Sequence, residues 1–511
     1  MFKGHPKGLI AAALANMGER FGFYTMMAIL VLFLQAKFGL DETNAGIIYS
    51  VFYFSIYVLS LVGGIIADRL KNFKGTILVG IVTMTVGYLI LAYPTKTPVP
   101  NQTLFLVLSC FALFIIAFGN GLFKGNLQAL VGQMYDDPKY GSVRDSGFQI
   151  FYMFINVGAV FAPFTAVGIR NWWLQRNGFE YDAGLPALCH NQLEGTLTDQ
   201  TSVAIQQAAN AATINGDVTN LHEFAANYLN VFTTGFHYAF GIAIGAMLIS
   251  LIVYVFNKSR FPDVKSRSHA SDSGTGEVVM DPKEVKQRLY ALFAVFGVVI
   301  FFWFSFHQNG LTLTYFAKDY TDLSSININL GGIKLVGAEL FQSVNPFFVV
   351  FLTPIIVGLF GFLKNRGIEP STPKKIAIGM FIAAMAYVVM SAGSFNLPLL
   401  SEVKAQGGLP DSMKVTPFLL IGTYFILTVA ELFISPLGIS FVSKVAPPQY
   451  QGIMQGLWLG ATAVGNQLLF IGAIFYESIP IWATWSIFVV ACLISMVTML
   501  VLLKWLERVA K

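Results

Sequence analysis

Long apolar runs fill the chain from residue 9 to residue 503, each parted from the next by a polar stretch. Twelve of them approach or exceed the roughly 20 residues that a helix needs to cross hydrocarbon. They cover 9–36, 43–67, 75–94, 103–134, 146–169, 230–257, 287–317, 346–363, 373–394, 415–443, 450–475 and 479–503. Several are longer than the minimum, which predicts tilt. Gly119, Gly121, Gly125, Pro163, Pro354 and Pro436 inside them predict kinks. Two polar stretches are long. Residues 258–286 separate spans six and seven and read as a linker. The chain then divides into an N-terminal six-helix bundle at 1–257, the linker, and a C-terminal six-helix bundle at 287–511. Residues 170–229 form a second long loop, rich in Asn, Gln, Ala and Thr, in which 199–212 predicts a short helix.

Composition narrows the class. Apolar residues make up 55% of the 511 and charged residues 12%, where a soluble domain carries about 25% charged. Mean hydropathy is +0.65. A soluble enzyme, a disordered chain and a coiled coil are excluded, and an all-α polytopic membrane protein is left. The net charge of +5 could suggest a nucleic-acid partner. Most of the 32 Lys and Arg, however, fall in the loops on the side of the two termini. By the positive-inside rule both termini are then cytoplasmic, and the basic excess reports topology. No nucleic-acid role follows.

Chemical motifs of other classes are missing. There is no G-x-x-x-x-G-K-[ST] loop. His222-Glu223 begins an H-E-x-x-H that fails at Ala226. Cys110, Cys189 and Cys492 are too few and too scattered for a disulfide framework or a zinc site. No catalytic residue, metal ligand or cofactor is expected, and the chain is not expected to be an enzyme.

Six plus six spans about a basic linker, with Gly63-Gly64-Ile65-Ile66-Ala67-Asp68-Arg69 between spans two and three, resemble the major facilitator superfamily and its G-x-x-A-D-R latch loop. In that architecture spans 1, 4, 7 and 10 line a central cavity. Charges in hydrocarbon cost several kcal/mol, so each is a functional candidate. Glu19 and Arg20 lie in span 1, Lys124 in span 4 and Glu431 in span 10, with His237 and His307 as further titratable groups. A cavity with a cationic wall and an anionic wall suits a zwitterion. Arg20 and Lys124 would take a carboxylate, and Glu431 an ammonium. The rival reading is a structural ion network among the same four. Asn16, Glu19, Arg20, Phe23 and Tyr24 share a face of span 1. Successive side chains diverge by about 100°, which predicts that Glu19 and Arg20 pair with other helices. Lys124 is the expected partner of Glu19.

Four motifs in order carry a family resemblance. Asn16–Tyr24 resembles E-x-x-E-R-F-x-Y-Y, Gly119–Asn126 resembles G-x-G-x-x-K-P-N, Phe151–Gly158 matches F-Y-x-x-I-N-x-G, and Glu431–Gly438 matches E-x-x-x-S-P-x-G. These are motifs of the proton-dependent oligopeptide transporters, the POT family. The resemblance implies a proton-coupled symporter for di- and tripeptides that works by alternating access in a lipid bilayer, with the proton as coupling ion and no other cofactor. It gives Arg20 and Lys124 the peptide carboxylate and Glu431 the peptide ammonium. It adds Tyr24, Tyr57, Asn156, Asn345 and Trp458 as cavity contacts. A monomer in a bacterial inner membrane is expected. Proton coupling would run through Glu19, Glu431, Lys124 and Arg20. The sequence departs from the family at Asn16, Phe23 and Gly125, at Ser50 and at His307, where an acid is usual. His307 then stands as a candidate titrating or substrate-facing group. The departures keep open an alternative: a carrier of this fold for another small solute, or an uncoupled peptide exchanger.

Overall fold

A computed structural model describes residues 4–214, 216–262, 280–326, 328–368, 370–447 and 450–509. Most of the linker expected at 258–286, residues 263–279, lies outside the described residues.

Among the described residues, twelve segments are long and apolar enough to cross a membrane. In the N-terminal part these are α1 (Leu9–Phe38), α2 (Glu42–Leu70), α3 (Phe73–Ala92), α4 (Gln102–Met134), α5 (Arg144–Arg176) and α8 (Leu221–Asn257). Two short helices, α6 (Leu185–Glu194) and α7 (Asp199–Ala212), fold within the 170–229 stretch. Span seven is made of α9 (Pro282–Phe306) and α10 (Thr312–Asp319), joined by a tight 3-10 turn at His307–Gly310. Then come α11 (Val344–Asn365), α12 (Thr372–Gly393), the short α13 (Leu400–Ala405) and α14 (Pro417–Val445). Span eleven is split into α15 (Gln451–Gln467) and α16 (Leu469–Ser478), and α17 (Ile481–Val509) ends the chain. The twelve spans agree with those expected from hydropathy, and α7 coincides with the helix expected at 199–212. Not expected were α6, α13, the breaks in spans seven and eleven, and a hairpin of two three-residue strands, β1 (Ile328–Leu330) and β2 (Ile333–Leu335).

Local chemistry sets the boundaries. The Asp41 carboxylate accepts from the Asn44 backbone N–H at 2.6 Å and opens α2. Gly39, at φ 64°, ends α1 in the left-handed conformation that glycine adopts without strain. Thr198 and Thr201 close a capping box on α7. Helix backbones approach very closely where α2 crosses α4. A Cβ on Gly63 would fall 2.2 Å from the Gly121 carbonyl, and one on Gly121 would fall 2.4 Å from that of Leu59. Small residues that let helix backbones meet are how membrane helices associate.

α1 packs on α5 and α8, and α4 on α2 and α3. In the second set α12 packs on α14 and α17, and α9 on α15 and α17. The two sets meet where α2 lies against α15 and α16, and where α5 lies against α11. α6 rests on α8 and α1, and its His190 Nε2 bonds the Ala36 carbonyl at 2.8 Å. Burial pushes the Cys189 thiol of α6 up, so it acts as a small core hydrophobe.

Candidate functional site

α1 carries the buried end of the site. Glu19 is fully buried and Arg20 nearly so. Contrary to the expectation from their adjacency, they pair with each other. Arg20 Nε donates to Glu19 Oε2 at 2.5 Å and Nη2 to Oε1 at 2.7 Å. The 100° divergence holds for the Cα–Cβ bonds, but the long Arg stem swings its fork back across it. Asn120 of α4 supplies the third donor, Nδ2 to Glu19 Oε1 at 2.7 Å. The Arg20 guanidinium lies 4.6 Å from the Phe23 ring centroid. This gives Phe23, a departure from the family motif, a cation–π role.

Lys124 is one helical turn beyond Asn120 and does not reach Glu19. Its Nζ stands 4.7 Å over the Tyr57 ring of α2. Among the described residues it makes no ion pair. Glu431, on α14, accepts from Asn345 Nδ2 at 3.0 Å, and Asn345 also donates to Thr428 Oγ1 at 2.9 Å. Among the described residues Glu431 likewise has no cationic partner. Tyr24 links the cationic and anionic groups: it is within electrostatic reach of both Arg20 and Glu431. So is Tyr152 of α5, which is 56% exposed and therefore borders space that solvent reaches.

The breaks in spans seven and eleven face each other at the rim. His307 Nδ1 bonds Asn466 Oδ1, and Gln308 Nε2 donates to the Leu469 carbonyl at 3.3 Å. The imidazole is stacked on Trp303 and lies 4.8 Å from the Tyr53 ring. Lys124 is within its electrostatic reach. Trp458 is buried over Gly438, where a Cβ would fall 1.9 Å from the indole, and packs edge-on against Phe296. Asn156 donates to its own helix, to the Tyr152 carbonyl at 3.1 Å. Hydrogen bonds, ring contacts and electrostatic interactions thus link Glu19, Arg20, Tyr24, Tyr57, Lys124, Asn345, Glu431 and His307 in one neighbourhood. Trp458 stays in packing and Asn156 on its own backbone. His237 lies elsewhere, bonded to the Leu91 carbonyl.

Sequence reasoning assigned no role to Asn120, Tyr53, Tyr152, Thr428 or Asn466. Asn120 and Thr428 had a signal: each sits one turn before a charged site residue. Asn466 had none.

The two sets of helices close against each other on the side of the 170–229 segment. Among the described residues, the side-chain hydrogen bonds between the two sets of helices cluster toward the 170–229 side. Glu42 of α2 takes ion pairs from Lys318 at 3.4 Å and from Lys404. Thr43 donates to Glu477 at 2.7 Å. Arg170 of α5 pairs with Glu339, both fully buried, and donates Nη2 to the Val336 carbonyl at 3.1 Å. The Arg170 guanidinium also stacks 4.0 Å from the Tyr181 ring. Ser343 donates to the Val160 carbonyl at 2.8 Å, and Gln342 to that of Ala28 at 3.4 Å. At the other end Asp68 and Arg69 of the G-x-x-A-D-R loop are exposed.

Comparison with known proteins agrees with this geometry. The family model described as the POT family matches residues 74–280 and 273–482. The chain is 28% identical over 490 residues to a peptide transporter of Yersinia enterocolitica, covering 91% of this chain and 87% of that protein. It is 27% identical to a di-/tripeptide transporter of Lactococcus lactis, over 91% of this chain and 89% of that one. Among solved structures, a peptide transporter POT in complex with sulfate superposes with a TM-score of 0.71 at 24% identity, over 100% of this chain and 96% of that one. A POT family transporter in complex with 5-aminolevulinic acid gives 0.70 at 21%. These likenesses establish the major facilitator architecture as two six-helix bundles. With its own motifs in place along a cavity of that fold, and the family model matched over most of its length, the chain is an integral membrane protein that belongs to the POT family.

Proposed function

We propose that this chain is a proton-coupled symporter that imports di- and tripeptides by alternating access. The observation that carries the reading is the separated charge pair. Among the described residues Lys124 has no carboxylate partner and Glu431 no cationic one, while Tyr24 and Tyr152 are within electrostatic reach of Glu431 and of the cationic Arg20. An unpaired charge in a membrane interior is costly, so a ligand with both signs is the natural complement. A peptide's carboxylate would lie against Lys124 and Arg20 and its ammonium against Glu431. Tyr24, Tyr57 and Asn345 would hold the backbone, with Asn156 and Trp458 in supporting positions. The relatives named as peptide transporters support the same substrate class.

Coupling would run through Glu19 and Glu431. Protonation of Glu19 frees Arg20 for the peptide carboxylate; loss of that proton restores the pair. One charge moved across 100 mV is worth about 2.3 kcal/mol, enough to accumulate a neutral peptide. The closed 170–229 side and the exposure of Asp68 and Arg69 at the other end support an inward-facing state. Bundles 1–257 and 287–511 would rock about the cavity. The basic side of the chain would be cytoplasmic, termini included, in a bacterial inner membrane. Since one chain holds all the cavity groups, a monomer would suffice.

The test is uptake of labelled dialanine into proteoliposomes with and without an inward proton gradient. Concentrative uptake that needs the gradient, and is lost in Lys124→Ala and Glu431→Gln, supports the symporter. A second reading rests on His307, which is enclosed by Asn466, Trp303 and Tyr53 where the family places an acid. If that acid is needed for coupling, the same assay gives exchange without accumulation. Absence of any peptide flux would favour a carrier of another solute.

A further inference from the structure

A second cavity, of about 500 Å³, lies apart from the transport site, among α1, α3, α4 and α8. That volume is within the range of small-molecule pockets. Its walls are mostly apolar, with Phe33, Ile90 and Phe105 among them. It opens sideways: Leu89, Tyr93 and Leu108 on its rim are 52%, 71% and 41% exposed on the outer face of the α3–α4 pair. Lys37 is in the last turn of α1 and Tyr93 follows the last residue of α3. The mouth is therefore at the membrane boundary, where amphipathic aromatics settle.

Two polar groups are buried in this apolar pocket. Lys37 is 2% exposed, and its Nζ donates to the Thr95 carbonyl at 2.5 Å, to Thr97 Oγ1 at 2.8 Å and, at a long 3.4 Å, to the Lys96 carbonyl. All three partners are neutral, and among the described residues no carboxylate balances the ammonium. His237, 4% exposed, gives its Nδ1–H to the Leu91 carbonyl at 2.6 Å. A carbonyl only accepts, so the proton is on Nδ1 and Nε2 offers a lone pair. Among the described residues that buried Nε2 has no hydrogen-bond partner, a state that costs about 1–3 kcal/mol. The site thus lacks a negative charge near Lys37 and a donor for His237, within reach of hydrocarbon.

We propose that this cavity binds an anionic phospholipid whose head group carries a hydroxyl, drawn from the leaflet on the 170–229 side. The phosphate balances Lys37, taking the weak third donor now spent on Lys96. A head-group hydroxyl donates to His237 Nε2, and the acyl chain lies along Phe33, Ile90 and Phe105. Basic pockets between membrane helices hold acidic head groups by the same physics. The proposal is independent of which solute the central cavity carries.

The experiment uses the full chain, delipidated in mild detergent and mixed with dioleoylphosphatidylglycerol, dioleoylphosphatidylcholine or glycerol phosphate alone. Native mass spectrometry counts retained lipid and a thermal melt reads Tm. One phosphatidylglycerol is expected to be held at least tenfold better than phosphatidylcholine and to raise Tm, with glycerol phosphate giving no shift. Lys37→Met should reduce retention to the phosphatidylcholine level. So should Leu89→Trp, which fills the cavity from its exposed rim and keeps the test valid if Lys37→Met does not fold. Equal retention of both lipids, undiminished phosphatidylglycerol retention in Leu89→Trp, or a Tm rise with glycerol phosphate alone would overturn the proposal.

Discussion

The Lys124 ammonium stands 4.7 Å over the ring of Tyr57, and no carboxylate of the described residues pairs with it. A cation held by a π face is fixed in place without being neutralised. A face-on contact of this kind is worth about 0.5–2 kcal/mol, much less than an ion pair in the same setting. Lys124 is thereby positioned for an incoming anion while its charge stays available. Tyr57→Phe keeps the ring and should leave peptide affinity nearly unchanged. Tyr57→Ala should raise KM for dialanine by about 3- to 30-fold, read from initial uptake rates.

Glu19 and Arg20 should behave as one unit. Removing one partner of a buried pair leaves an uncompensated charge, at a cost of about 3–5 kcal/mol. Glu19→Gln should therefore lower Tm in detergent more than Asn120→Ala, which removes a single hydrogen-bond donor at about 1–3 kcal/mol. Thermal melts of the two purified variants check the order. An equal or larger loss in Asn120→Ala would mean that the ion pair is not the main restraint on this end of α1.

The sealed side depends on Arg170 and Glu339, both fully buried, with Glu42 between Lys318 and Lys404 beyond them. Glu339→Gln should weaken the seal. In a chain whose native cysteines are replaced by serine, a cysteine at the buried Ser343 position should then react faster with a water-soluble thiol reagent, by about tenfold or more if 1.4 kcal/mol of the closure is lost. An unchanged rate would place the closure in the apolar contacts of α5 with α11.

His307 is held by Asn466 and stacked on Trp303, and among the described residues no acid pairs with it. Its place is that of a structural bridge between the broken spans. His307→Gln keeps a hydrogen-bonding group there and should retain gradient-driven uptake, while His307→Leu should lose stability by about 1–3 kcal/mol because Asn466 is left unpaired. Loss of the pH gradient dependence in His307→Gln, with exchange intact, would instead make the imidazole a proton carrier.

Much of this was legible in the residues. The twelve spans follow from apolar run length, and α7 from its composition between polar turns. Arg20, Lys124 and Glu431 stood out because charges are rare in hydrocarbon. Other features depend on information that a one-dimensional pattern lacks. The Glu19–Arg20 fork is a matter of side-chain reach, not of helical spacing. The breaks at His307 and at Leu468 lie inside long apolar runs, marked only by the short polar stretches His307-Gln308-Asn309 and Asn466-Gln467, which a window about 20 residues wide averages away. The hairpin at 328–335 has a signal of its own, apolar and polar residues alternating about Gly331-Gly332, which a search for long apolar runs passes over. The sealed side joins Glu42, Lys318 and Lys404, which are far apart in the chain and meet only when the bundles close.

The central claim is that the two ends of a peptide are read by opposite walls of one cavity. The most direct measurement is a binding cycle by calorimetry: dialanine and its C-terminal amide, each against the wild-type chain and Lys124→Ala. A charge-assisted contact of about 1.5–3 kcal/mol predicts that the wild type prefers the acid by about 10- to 150-fold. That preference should largely vanish in Lys124→Ala, while Glu431→Gln keeps it and loses affinity for both ligands. An acid preference that survives Lys124→Ala undiminished would contradict the account.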